Sequence, residues 1–264
     1  MFKTHEILTA LMKLDIILQE PDFIIIYKPC GISVHKDCSD VGLTTLLAEQ
    51  LGVPQVWLVH RLDKITSGLL ILALNAASAA EFSRLFAEHK IQKTYLALSH
   101  QKPKKKQGLI IGDMKKVRNG AWKLCQSKEN PAITRFESVS CEPNLRLFFL
   151  KPQTGKTHQL RVAMKSLGSP ILGDDLYGKN TAEIIHKLDH SFVHLSRGRW
   201  QSQRSKNVVF CDRTYLHAAR LEFEFHGKKF DVKAMPKEGE WWQRENVIAK
   251  INENPFFGKG KIPV

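Results

Sequence analysis

The chain is 264 residues long, enough to bury a core and form one large domain without a metal or disulfide staple. A composition 43% hydrophobic and 25% charged excludes wholesale disorder and a coiled coil, and no apolar run approaches the ~20 residues of a membrane-spanning helix. The formal net charge of +14 and pI of about 9.6 point to a polyanionic partner, most simply nucleic acid.

In chain order, Leu8, Leu11 and Met12 stand at helical spacing and predict a helix over 5–14, too interrupted by charge for a signal peptide. The run DFIIIYKPCG reads as a strand ended by Pro29 and Gly31, and a short helix is expected from Leu43 to Leu51. LLILAL at 69–74 reads as a buried strand. The tetrad HRLD stands in a loop before it, closed by Gly68, and a helix over 76–89 follows with Ala79, Phe82, Leu85 and Phe86 on one face. Strands are expected at 94–98, 133–139 and 145–150, then a helix from Thr157 to Leu167 after the loop PQTGK, with Leu160, Met164 and Leu167 on one face. Leu221-Glu222-Phe223-Glu224-Phe225 alternates as a half-buried antiparallel strand does. Many strands and few helices in irregular order indicate an α+β mixed sheet rather than regular βαβ winding.

The charge is concentrated. Between 102 and 123 stand Lys102, Lys104, Lys105, Lys106, Lys115, Lys116, Arg118 and Lys123 against Asp113 alone. A second basic stretch runs through Arg197, Arg199, Arg204, Lys206 and Arg213, opposed by Asp212, with Trp200 interleaved as a stacking surface. The five cysteines form no CxxC pair, which fits a reducing compartment and a soluble, cytoplasmic protein.

Familiar motifs are incomplete. TGKT at 154–157 lacks the glycine of a phosphate-binding loop, since position 150 is Leu, and GISVH at 31–35 lacks the closing glycine of a nucleophile elbow. His186, His190 and His194 recur every four residues without an HExxH glutamate, a pattern that favours a polar surface stripe over a metal site.

Four blocks remain, in this order: HRLDKITSG at 60–68, KTY at 93–95, TGKTHQLRV at 154–162 and GDDLYG at 173–178. Together with DFIIIYKPCGISVH and YLHAARLEF they resemble the RluA-type pseudouridine synthases, in a form lacking the N-terminal S4 domain. The resemblance spans 15–235, which would be the catalytic domain, with a basic insertion at about 179–213, an N-terminal extension at 1–14 and a C-terminal extension at 236–264. It implies the pseudouridine synthase fold: a mixed, largely antiparallel sheet with flanking helices and a central active-site cleft. The implied reaction breaks the uridine N1–C1′ bond, turns the uracil and joins C5 to C1′, with no redox change and hence no cofactor.

By the same resemblance Asp63 is the nucleophile and Arg161 the cation that keeps it charged and aimed. Tyr95 would stack on the uracil and is a candidate to accept the C5 proton. Arg61 would fill the space left by the flipped nucleotide, and Leu160 would wall the uracil from water. Lys156 stands where Arg is more usual and, with Lys104, Lys105 and Lys106, is a candidate RNA contact. His60 and His217 are expected to be structural, and Tyr177 to pack beside the site. The expected partner is ribosomal or transfer RNA, acted on by a monomer. The alternative is a non-catalytic RNA-binding protein on the same fold, which would not need the Asp63 carboxylate.

Overall fold

The computed structural model describes residues 13–34, 42–178 and 211–255. Residues 5–12 of the helix expected over 5–14, the histidine stripe and most of the second basic stretch lie outside them, and residues 13 and 14 are not helical.

Among the described residues twelve strands and four α-helices follow one another: β1 (Asp15–Gln19), β2 (Phe23–Lys28), α1 (Leu43–Leu51), β3 (Trp57–Leu58), β4 (Ser67–Ala73), α2 (Ala76–Ala87), β5 (Gln92–Ser99), β6 (Gln107–Gly112), β7 (Met114–Lys116), β8 (Trp122–Leu124), β9 (Ala132–Glu142), β10 (Leu145–Pro152), α3 (Gln159–Ser166), β11 (Leu216–Phe225), β12 (Lys228–Lys233) and α4 (Glu245–Glu253). Ten strands form one sheet in the order β1-β2-β4-β11-β5-β10-β9-β6, with β3 beside β4 and β12 beside β11, while β7 and β8 form a separate hairpin. Every pairing among the described residues is antiparallel except β4 with β11, which run parallel through His217 opposite Ser67 and Ala218 opposite Gly68. The α+β expectation holds.

The sheet is covered on both faces, which is why β2 and β4 are buried along their whole length and read as unbroken apolar runs. On one face Phe23, Ile25, Leu69 and Ile71 meet Phe82 and Leu85 of α2, and Leu96, Leu147 and Phe149 meet Val247 and Ile251 of α4. On the other face Ile24, Ile26 and Leu70 meet Leu43 and Leu47 of α1, while Phe148, Leu150 and Leu216 meet Leu160 and Met164 of α3. Trp242 and α4, in the C-terminal stretch, thus pack into the main core and not beside it.

The parallel pair is permitted by Gly68. Its φ of +110° suits glycine, and a Cβ there would collide with the Ala218 carbonyl, so the two strands close directly behind the HRLD loop. Ser67 then accepts a hydrogen bond from Arg213 Nη2 at 2.7 Å and lies 2.9 Å from His217 Nδ1. Arg213, expected in a basic surface stretch, is instead turned inward, because its guanidinium also bonds the Glu238 carbonyl.

Candidate active site

A cavity of about 280 Å³ lies on the α1/α3 face of the sheet, over Tyr95 and Leu216. The loop 59–63 with Thr66 walls one side, Pro152 and residues 154–161 the other, and Phe86, His89 and Lys93 complete the lining. Asp63, Tyr95, Arg161, Arg61, Leu160 and Lys156, drawn from three separated blocks, all line it.

The Asp63 loop is fixed through its backbone. The Thr66 N–H donates to the Asp63 carbonyl at 2.9 Å, the Gly31 N–H to the Lys64 carbonyl at 2.8 Å, and the Cys30 thiol to the Ile65 carbonyl at 3.2 Å. Behind the loop, buried Lys28 donates its ammonium protons to the carbonyls of Pro29, Ile32 and Lys64 at 2.9, 2.8 and 3.3 Å. Burial lowers the Lys28 pKa to about 8, against a weaker upward pull that includes the Asp63 charge. Among the described residues the half-buried Asp63 carboxylate, which lines the cavity, has no side-chain hydrogen bond or ion pair.

Arg161 departs from expectation. Its guanidinium grips Asp174, Nε to Oδ2 at 2.7 Å and Nη2 to Oδ1 at 2.8 Å, with the two residues 5% and 4% exposed. Asp63 contributes to the field at Arg161 but is not its hydrogen-bonded partner. The reason is local. The GDDLYG turn folds back on itself, Asp174 Oδ1 accepting the N–H groups of Leu176 and Tyr177, and this aims the carboxylate at the first turn of α3. The fixed cation expected at the cleft is present, held in place by a second carboxylate.

Tyr95 is half-buried, and its phenol is pushed above the usual range first by burial and then by the Asp63 charge. Leu160 is buried and packs with Leu216, giving the cavity an apolar wall. Arg61 is exposed at the mouth. Lys156 is half-buried and bonds Asn130 Oδ1 at 2.5 Å. Lys104, Lys105 and Lys106 do not join the cavity: they precede the edge strand β6, and the Lys104 N–H is tied to the Leu167 carbonyl at the far end of α3.

Several residues were invisible in this role from the sequence. Gln159 organises the TGKT loop, its Oε1 accepting from Thr154 Oγ1 at 2.7 Å and the Lys156 N–H at 2.9 Å, its Nε2 donating to the Ile133 carbonyl at 3.0 Å. His158 takes a left-handed backbone at φ +57° and shortens the expected helix to Gln159–Ser166. Lys93, two residues before Tyr95 on β5, shares its face, and the alternation in KTY was the signal for it. His60 and His217 are structural. His60 Nε2 accepts the Ile71 N–H at 2.9 Å, His217 Nε2 donates to the Ala234 carbonyl at 3.0 Å, and burial holds both rings neutral with pKa values of about 3.

Residues 22–166 match the sequence profile of a family described as RNA pseudouridylate synthase. The chain belongs to that family. An uncharacterized RNA pseudouridine synthase from Haemophilus influenzae is 63% identical over 251 residues, 94% of this chain and 100% of the relative. A tRNA pseudouridine synthase C from Haemophilus ducreyi is 32% identical over 229 residues, 80% of this chain and 86% of its own, and the dual-specificity RNA pseudouridine synthase RluA of Escherichia coli is 34% identical over 176 residues, 64% and 80%. The solved human RNA pseudouridylate synthase domain containing 1 superposes with a TM-score of 0.61 at 26% identity, covering 84% of this chain and 83% of its own. As a pseudouridine synthase of the RluA group, the chain is an isomerase that converts uridine to pseudouridine in RNA, and the binding-only alternative falls away.

Proposed function

We propose that this pseudouridine synthase acts on a structured ribosomal or transfer RNA, with Asp63 as the group that meets the sugar. The observation that carries the assignment is the meeting of Asp63, Tyr95 and Arg161 in one cavity in which the Asp63 carboxylate is unoccupied by any described side chain. A carboxylate so placed can add to an oxocarbenium-like C1′ or assist loss of a sugar proton, as carboxylates do at glycosidic carbons. N1–C1′ breaks, the uracil turns between Tyr95 and the Leu160 wall, C5–C1′ forms, and the C5 proton leaves while N1 gains one. Arg61 at the mouth is placed to occupy the space of the flipped nucleotide. Beyond Arg61 and Lys156 in the cavity lining, the exposed cations of the β7–β8 hairpin, Lys115, Lys116, Arg118 and Lys123, are RNA phosphate contacts, joined to the cleft through Trp122.

The test uses RNA labelled with tritium at uridine C5, from cells lacking the gene. The enzyme should release tritium and Asp63→Ala should not; unchanged release from the alanine variant would refute the assignment. Mapping pseudouridines in total RNA with and without the gene identifies the substrate.

A further inference from the structure

Tyr177 takes no part in the chemistry above, yet it touches two separate parts of the enzyme. It is 1% exposed. Its ring centre lies 4.8 Å from the Arg161 guanidinium carbon and 5.5 Å from Lys165 Nζ. Its hydroxyl oxygen accepts the Trp122 N–H at 2.8 Å and stands 2.9 Å from His158 Nδ1, to which it can donate its proton.

Trp122 opens β8, and the β7–β8 hairpin pairs with no strand of the main sheet. A two-stranded ribbon is marginal by itself. This one is closed at its base by the Cys125 N–H on the Asp113 carbonyl and leans on the cleft through Leu124, which packs in the same apolar cluster as Leu160. The Tyr177 hydroxyl is its hydrogen-bonded link to His158 in the wall of the cleft.

We propose that Tyr177 is a positioning residue that locks the basic hairpin to Arg161, so that RNA phosphates held by the hairpin are held in fixed register with Asp63. The inference rests on the proposed roles of Asp63 and of the hairpin cations. A docked hairpin meets RNA already ordered, whereas a loose one must be ordered at the moment of binding, so the loss on undocking falls on RNA affinity.

The experiment uses the full chain and the tritium-labelled total RNA, with initial rates measured against RNA concentration, and hydrogen exchange of the 114–124 segment measured without RNA. Tyr177→Phe keeps the ring over Arg161 and removes only the hydroxyl. Exchange in the hairpin should quicken, and KM should rise about threefold to tenfold, the size of one lost hydrogen bond, with a smaller change in kcat. Combining Tyr177→Phe with Lys115→Ala, Lys116→Ala and Arg118→Ala should be no worse than the three alanines alone, since docking matters only while the cations hold RNA. Trp122→Pro deletes the same hydrogen bond from the exposed side and should give the same rise in KM, so that the proposal does not hang on the folding of a core variant. Wild-type exchange in both variants, an unchanged KM, or effects that multiply would each overturn it. If Asp63→Ala still released tritium, the reading of the cleft would fail, while the exchange comparison would still decide whether Tyr177 docks the hairpin.

Discussion

Arg161 and Asp174 form a doubly hydrogen-bonded ion pair closed off from solvent, Nε to Oδ2 at 2.7 Å and Nη2 to Oδ1 at 2.8 Å. Breaking a buried pair on one side strands the other charge, at a cost of about 3–5 kcal/mol. Asp174→Ala should therefore lower the unfolding free energy by that amount in urea titrations. Adding Arg161→Met should recover part of the loss. Equal stability of the single and double variants would show that the pair is solvated.

Tyr95 separates two contributions that a phenol can make. Stacking of a base on an aromatic ring accounts for about 1–3 kcal/mol, so Tyr95→Ala in an Asp63→Ala background should weaken RNA binding about fivefold to 150-fold. Tyr95→Phe keeps the ring and should bind RNA as the parent does. If it binds normally but releases no tritium, the hydroxyl is assigned to the C5 proton transfer; weakened binding would contradict stacking.

His60 and His217, with folded pKa values of about 3, make stability depend on pH in a fixed direction. Below the unfolded value near 6.5 the unfolded chain takes up protons that the folded chain refuses. Stability should be fully present above about pH 6.5 and fall by about 1.4 kcal/mol per pH unit for each histidine toward pH 3. Urea midpoints measured at neutral pH and at about pH 5 check this. His217→Gln should flatten the slope; a slope that stays the same would place the titration elsewhere.

The salt dependence of binding distinguishes the two basic segments. Each phosphate neutralised on single strands adds roughly −0.7 to the slope of log affinity against log salt. Replacing Lys115, Lys116 and Arg118 by alanine should remove about 2 from that slope. Replacing Lys104, Lys105 and Lys106 should remove less, since those residues lie at the far end of α3 from the cavity. The reverse order would move the RNA footprint to the 104–106 run.

Elements with one clear period or an unbroken apolar run were legible in the sequence. FIIIYK, LLILAL and LEFEF appear as strands, and Phe82 with Leu85 marks the buried face of α2. β1, β6, β7 and β8 were not, because they are short or exposed along part of their length and their residues carry charge for solvent, not a pattern for the core. In β12 the alternation of Phe230 and Val232 is the only signal, short and flanked by Lys228, Lys229 and Lys233. At the cleft, motif order picked out Asp63, Tyr95 and Arg161, which the fold brings to one cavity. Partnerships were another matter: Asp174 for Arg161, Gln159 for the TGKT loop and Lys28 for three carbonyls are tertiary contacts that spacing does not encode.

The parallel pairing of Ser67 with His217 also sets when the enzyme can become competent during its own synthesis. β4 cannot be sealed on that side until β11, some 150 residues later, has left the ribosome, and contacts so far apart in sequence form slowly. A nascent chain therefore carries Asp63 early but has no finished cleft around it. A ribosome-bound fragment ending before residue 216 should be inert toward the RNA that surrounds it, because Asp63 gains its cleft only once nearly the whole polypeptide stands behind it.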